Sequence, residues 1–162
     1  MLAHPQQLFT ILNLKMTSKR AIHELVDGSF YFYNLCMSYI NFNPNPDKKN
    51  IGDCVVRAIC AATDCDWESA YIKVVLRGFI LHDMPSSDDV WGAQLYSEGF
   101  TREVVPNSCP YCYTIKDFCE ENPEGVYVIG TGTHAVCVKN GDYYDAWDSG
   151  DKVPLFYWRK ER

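Results

Sequence analysis

No stretch of this chain is apolar for long enough to cross a membrane, and no cluster of Lys and Arg is longer than a pair. The first absence argues against a membrane-spanning protein. The second, with a net charge of −6, argues against a duplex nucleic-acid binder, which needs a basic face to meet the phosphates. No glycine-rich loop follows a β-type run, so nothing is built to cradle a nucleotide phosphate. The first residues lack a basic opening followed by an apolar run and a small-residue cleavage site, so no secretory signal is expected. Without one, the eight cysteines are expected to stay reduced. The expectation is an intracellular, cytoplasmic chain with no cofactor, no membrane and no nucleic-acid partner. Nothing in the pattern sets an oligomeric state.

What is present is enough for a buried core: 162 residues, 47% of them hydrophobic and 14% aromatic. Leu8, Ile11, Leu12 and Lys15 form a short stripe at helical spacing. An aromatic run follows from Phe30 to Phe42, expected to pack as a strand or helix. Asn43-Pro44-Asn45-Pro46 denies the chain a helix or a ladder position, so residues 1–43 are expected to form an N-terminal extension or arm and 44–162 the main domain. Helices are predicted from Cys54 to Thr63, from Trp67 to about Ile80 behind an Asp66 cap, from Ser87 to Ser97, and from Thr114 to Glu121. Strands are predicted over Phe100–Val105, either side of Asn140-Gly141, and over Lys152–Lys160, where Pro154 argues for a sheet edge.

The chemistry concentrates at Asn50-Ile51-Gly52-Asp53-Cys54. Asp53 suits an N-cap, and Gly52 lets the chain turn ahead of it. Cys54 then opens a helix, where unsatisfied N–H groups favour thiolate over thiol. The plainer reading is a buried structural cysteine.

A partner lies further on. Two apolar β-rich runs flank Asn140-Gly141, the sequence of a two-residue type I′ hairpin. That turn pairs Lys139 with Asp142 and, counted back, His134 with Trp147. His134 and Asp145 become diagonal neighbours on one face, about 7–8 Å apart at Cα and within side-chain reach. Asp148 falls on the opposite face, and a slip of one residue would exchange the two acids. Asp145 is therefore the expected partner of His134, with Asp148 the alternative acid. His4, His23 and His82 have no acid at such spacing and are read as surface or packing residues.

A cysteine at a helix start, a histidine on a late strand and an acid on the next strand resemble a papain-like cysteine peptidase. Asp145-Ala146-Trp147 resembles that superfamily's Asn-Ser-Trp, in which the tryptophan shields the histidine. Gly52-Asp53-Cys54 is similar to the lead-in of bacteriocin-leader peptidases. Gly52 to Ala58 resembles the Asp-Gly-Asn-Cys-x-x-Arg-Ala stretch of ovarian-tumour-type deubiquitinases. The resemblance spans residues 44–150. It implies an α+β fold in which the helix carrying the nucleophile packs on a small antiparallel sheet carrying His and Asp. It also implies a thiol hydrolase with a Cys54–His134–Asp145 triad, cleaving a peptide, isopeptide or amide bond of a peptide or protein substrate. The family's oxyanion-stabilising Gln falls six residues before the cysteine, at Lys48 here; Asn50, with the N–H of Cys54, is the expected substitute.

Two other readings rest on the remaining cysteines and on the fold. Cys109-Pro110-Tyr111-Cys112 matches a dithiol redox motif between a strand and a helix, which would make the chain a thiol-disulfide oxidoreductase. Cys109 and Cys112 also have metal-ligand spacing, but a tetrahedral zinc needs two more ligands, and no metal is expected. A third reading keeps the fold as a non-catalytic binding module or pseudo-enzyme.

Overall fold

The computed structural model describes the backbone of residues 20–26 and 29–35, and residues 37–106 and 112–161 in full. The chain divides into two units, Met1–Cys36 and Met37–Arg162. The first holds β1 (Arg20–Val26) and β2 (Ser29–Leu35), an antiparallel pair in which Arg20 lies opposite Leu35 and Val26 opposite Ser29. The stripe at Leu8, Ile11, Leu12 and Lys15 lies outside the described residues.

The second unit is α+β. Its sheet has six strands in the order β3 (Tyr39–Asn41), β7 (Asp142–Asp145), β6 (Ala135–Lys139), β5 (Val126–Gly130), β8 (Phe156–Lys160) and β4 (Phe100–Val104). All neighbours are antiparallel except β3, which runs parallel to β7, so the sheet is mixed rather than the antiparallel one expected. This parallel strand moves the boundary as well. Tyr39–Asn41 belongs to the sheet, and the Phe42 N–H donates to the Asp145 carbonyl at 2.7 Å. The aromatic run is thus split between the units, and the division falls at Cys36, ahead of the Pro-Asn linker.

Period-two alternation gives each sheet face its own core. Val128, Ala135 and Cys137 face one side, against α1 (Cys54–Thr63), α2 (Trp67–Leu81) and α3 (Asp88–Ser97) with Ile59, Val74, Trp91 and Leu95. Tyr127, Ile129, Val136, Val138 and Tyr143 face the other, against Ile115 and Phe118 of α4 (Ile115–Glu121). β5 and β6 are therefore apolar on both faces, which is why their sequences read as near-continuous apolar runs. β8 is interior, between β5 and β4, and not the edge strand that Pro154 suggested. Pro154 precedes the strand and takes no place in its ladder.

Local signals set the helix ends. Asp66 accepts the Ser69 N–H at 2.7 Å and starts α2, and Thr114 with Asp117 forms a complete capping box on α4. Gly99, at φ +85°, turns the chain from α3 into β4. No helix among the described residues is long and apolar enough to cross a membrane.

Candidate active site

Asn140 and Gly141 both have positive φ, 53° and 84°, and the hairpin closes on the Lys139–Asp142 pair. This is the type I′ geometry and the register expected from Asn-Gly. Just ahead of β6, the Thr131 N–H donates to the His134 carbonyl at 2.9 Å, and the turn presents the imidazole beside β7. His134 Nε2 donates to Asp145 Oδ2 at 2.5 Å. A carboxylate only accepts, so Nε2 carries the proton and Nδ1 is left for the sulfur. The Ala146 N–H donates to Asp145 Oδ1 at 2.7 Å, which fixes the carboxylate from its other side. The Trp147 ring lies 5.1 Å from the imidazole and covers it.

Cys54 is the first residue of α1 and is half-buried. Burial pushes its thiol up, but a hydrogen bond with His134, the Ala135 N–H and the positive charges of His134 and Arg57 outweigh it and hold the pKa below the ordinary value. His134 shifts the other way. Burial lowers it, yet the hydrogen bonds to Asp145 and Cys54 and their charges lift it to about 9. The two shifts agree: each group favours the charged form of the other, a thiolate–imidazolium pair. Cys60 of α1 and Cys137 of β6 behave oppositely. Burial pushes Cys60 up to about 12 and raises Cys137, as for inert packing thiols.

Asp53 does not cap α1 through its side chain. Its carboxylate is buried and accepts from Arg57, one turn along the helix, and from Trp67 Nε1 at 2.8 Å. Arg57 is buried too, and its Nη2 lies 3.6 Å from Asp145 Oδ1. A line of side chains thus runs Trp67–Asp53–Arg57–Asp145–His134–Cys54. Sequence reasoning placed only the last three, plus Asp53 in a different role. The Asp53–Arg57 pair has i,i+4 spacing and was readable as a helical ion pair; that Arg57 turns inward to Asp145 was not.

Cys54 and His134 line a cleft of about 420 Å³. Its walls come from Ile51–Val56, from Trp67, Tyr71, Val74 and Val75 of α2, from Pro85 to Trp91, and from Gly132–Ala135. Asn50 is exposed and is not among the lining residues. Asn43 and Asn45 side chains fold the preceding loop by bonding its backbone, and Ile51 is the first residue after that loop in the cleft wall. Lys48 donates to the Asn43 carbonyl at 2.8 Å. Asp148 accepts from Tyr143 Oη at 2.6 Å and from the Gly150 N–H at 3.2 Å, on the face away from His134. Cys112 is exposed, and Cys109 lies outside the described residues. Among the described residues no cluster of His, Cys, Asp and Glu is arranged to hold a metal.

Compared with family models, curated proteins and solved structures, the chain matches none.

Proposed function

We propose that the protein is a thiol hydrolase of the papain-like type, acting on a peptide, isopeptide or amide bond. The observation that carries the reading is His134 held between Asp145 and Cys54, with the pKa values of Cys54 and His134 shifted toward the thiolate–imidazolium pair. An inert packing site has no need of that combination, and Cys60 and Cys137 illustrate what packing thiols do.

In this reading His134 Nδ1 takes the Cys54 proton, and the thiolate attacks the substrate carbonyl carbon. The carbonyl π electrons move to oxygen. The N–H of Cys54 in the first helical turn has no intrahelical acceptor and is the natural donor to that oxyanion. Collapse of the adduct breaks the C–N bond, and the amine leaves with the proton from His134. Water, deprotonated by His134, then cleaves the thioester and restores the thiol. Asp145 keeps the imidazole in one tautomer and stabilises its charged form throughout.

Site-mapped iodoacetamide labelling of the full chain tests the pair. Cys54 labels first at neutral pH and slows in His134→Ala. Labelling led by the exposed Cys112 or by Cys109, with Cys54 silent, would instead favour the dithiol redox reading. Ordinary slow labelling of Cys54, unmoved by His134→Ala, would favour a non-catalytic module.

A further inference from the structure

α2 carries two apolar faces. Ala70, Val74 and Gly78 recur every four residues and are buried against the rest of the unit. A second stripe, Ile72, Val75, Leu76, Phe79 and Ile80, follows the i, i+3, i+4, i+7, i+8 pattern of a core-facing helix but lies exposed, Phe79 at 77% and Ile72 at 64%. Isolated exposed apolar residues mean little; a contiguous stripe at helical spacing marks a contact surface. Lys73, on the polar edge of the helix, is occupied with Glu98 at 3.0 Å.

The stripe does not stand apart from the site. Val75 belongs both to it and to the wall of the cleft that Cys54 also lines, and Tyr71, one turn earlier on α2, is an exposed wall residue too. The apolar surface is therefore continuous from Cys54, past Tyr71 and Val75, to Leu76 and Phe79. From Ile72 to Ile80 the helix rises roughly 12 Å, the reach of about four extended residues. A small amide would fill the cleft and leave this surface in water.

We infer that the occupant of the α2 stripe is the substrate itself, a polypeptide whose apolar side chains on one side of the scissile bond lie along Val75, Leu76 and Phe79 while the bond sits at Cys54. The inference rests on the thiol-hydrolase reading and adds to it which side chains of a polypeptide substrate are selected and which surface selects them. Catalysis needs no contact at Phe79; the stripe supplies affinity and selects which bond enters.

The test uses full-length wild type, Cys54→Ala, and a Leu76→Lys/Phe79→Lys double variant, whose exposed positions spare the core. The probe is a library of proteome-derived peptides, with new termini read by mass spectrometry. The expected result is Cys54-dependent cuts enriched in apolar residues within about four positions on one side. On the best of these peptides the double variant should lose at least tenfold in kcat/KM, mainly through KM, while Cys54 labels with iodoacetamide at the wild-type rate. Cuts without apolar enrichment, or equal cleavage by the double variant, would overturn the inference and leave the hydrolase reading standing. A wild-type dimer in sedimentation that the double variant dissolves would also overturn it, because a second copy would then own the stripe. Absence of any Cys54-dependent cut, with Cys54 labelling slow and indifferent to His134→Ala, would remove the hydrolase reading and the inference with it.

Discussion

Arg57 Nη2 lies 3.6 Å from Asp145 Oδ1, and this contact ties the helix that carries the sulfur to the strand that carries the acid. Asp145 Oδ1 is also held by the Ala146 N–H, so Oδ2 is the oxygen left for His134. On its other side Arg57 donates to the Asp53 carboxylate and, at 3.3 Å, to the Ile51 carbonyl in the wall of the cleft. One buried cation thus serves two buried carboxylates.

Replacing Arg57 by Met keeps much of the volume and removes the charge. Two carboxylates are then left buried without their cation, and breaking such a set costs about 3–5 kcal/mol. Urea unfolding of Arg57→Met should show a loss in that range. Arg57→Lys should recover part of it, since an ammonium can satisfy one carboxylate but lacks the fork that reaches both. Equal stability of the Arg57→Met variant and the wild type would mean the two carboxylates are not charged partners of Arg57.

The pH dependence of Cys54 alkylation follows from the opposed effects on the thiol. Burial is the largest and raises its pKa; His134 supplies the hydrogen bond and charge that reverse it. Wild-type labelling by uncharged iodoacetamide should therefore reach its plateau below the ordinary thiol range. In His134→Ala burial meets less opposition, so the labelling limb should move up and labelling at neutral pH should slow. A limb that stays in place would show that His134 does not hold the sulfur.

Much of this was readable from short-range pattern, and the failures share one cause. Asn140-Gly141 sets a turn type and the turn sets the Lys139–Asp142 register, and both steps are local; Asp148 lies beyond the end of β7, where the strand alternation no longer applies. The starts of α2 and α4 and the end of α3 were likewise written in neighbouring residues: Asp66, Thr114 and Gly99. The parallel pairing of Tyr39–Asn41 with β7 is not local, and neither is the insertion of β8 between β5 and β4. Asp53 misled because an Asp before a helix has two uses, and the nearby Arg57 and Trp67 outcompeted the backbone N–H groups for its oxygens.

The two acids after the hairpin separate cleanly by substitution. Asp145→Ala removes the acceptor that holds His134 Nε2, loosening both tautomer and charge stabilisation. Turnover should fall about 10²–10⁴-fold on any substrate that wild type cleaves. Asp148→Asn removes only a partner of Tyr143 and the Gly150 N–H on the opposite face, and turnover should remain within about twofold. The reverse ranking in steady-state assays would exchange the roles assigned to the two residues.

The raised pKa of His134 also has a consequence for stability that needs no substrate. Burial lowers it, but Asp145 and Cys54 together bring it to about 9, against 6.5 for the free side chain. A histidine whose folded pKa is raised binds its proton more tightly in the native state. Its contribution is complete below about pH 6.5 and is lost as the pH climbs through about 9. The thiol titrates over an overlapping range, so the clean comparison is Cys54→Ser against Cys54→Ser/His134→Gln. Asp145 remains in both, and the serine hydroxyl introduces no charge. The single variant should be the more stable near pH 6, and the gap should narrow as the pH rises. Urea midpoints measured at half-unit steps give the curve. A gap that stays flat across that window would mean His134 is held in place by packing and not by its proton shared with Asp145.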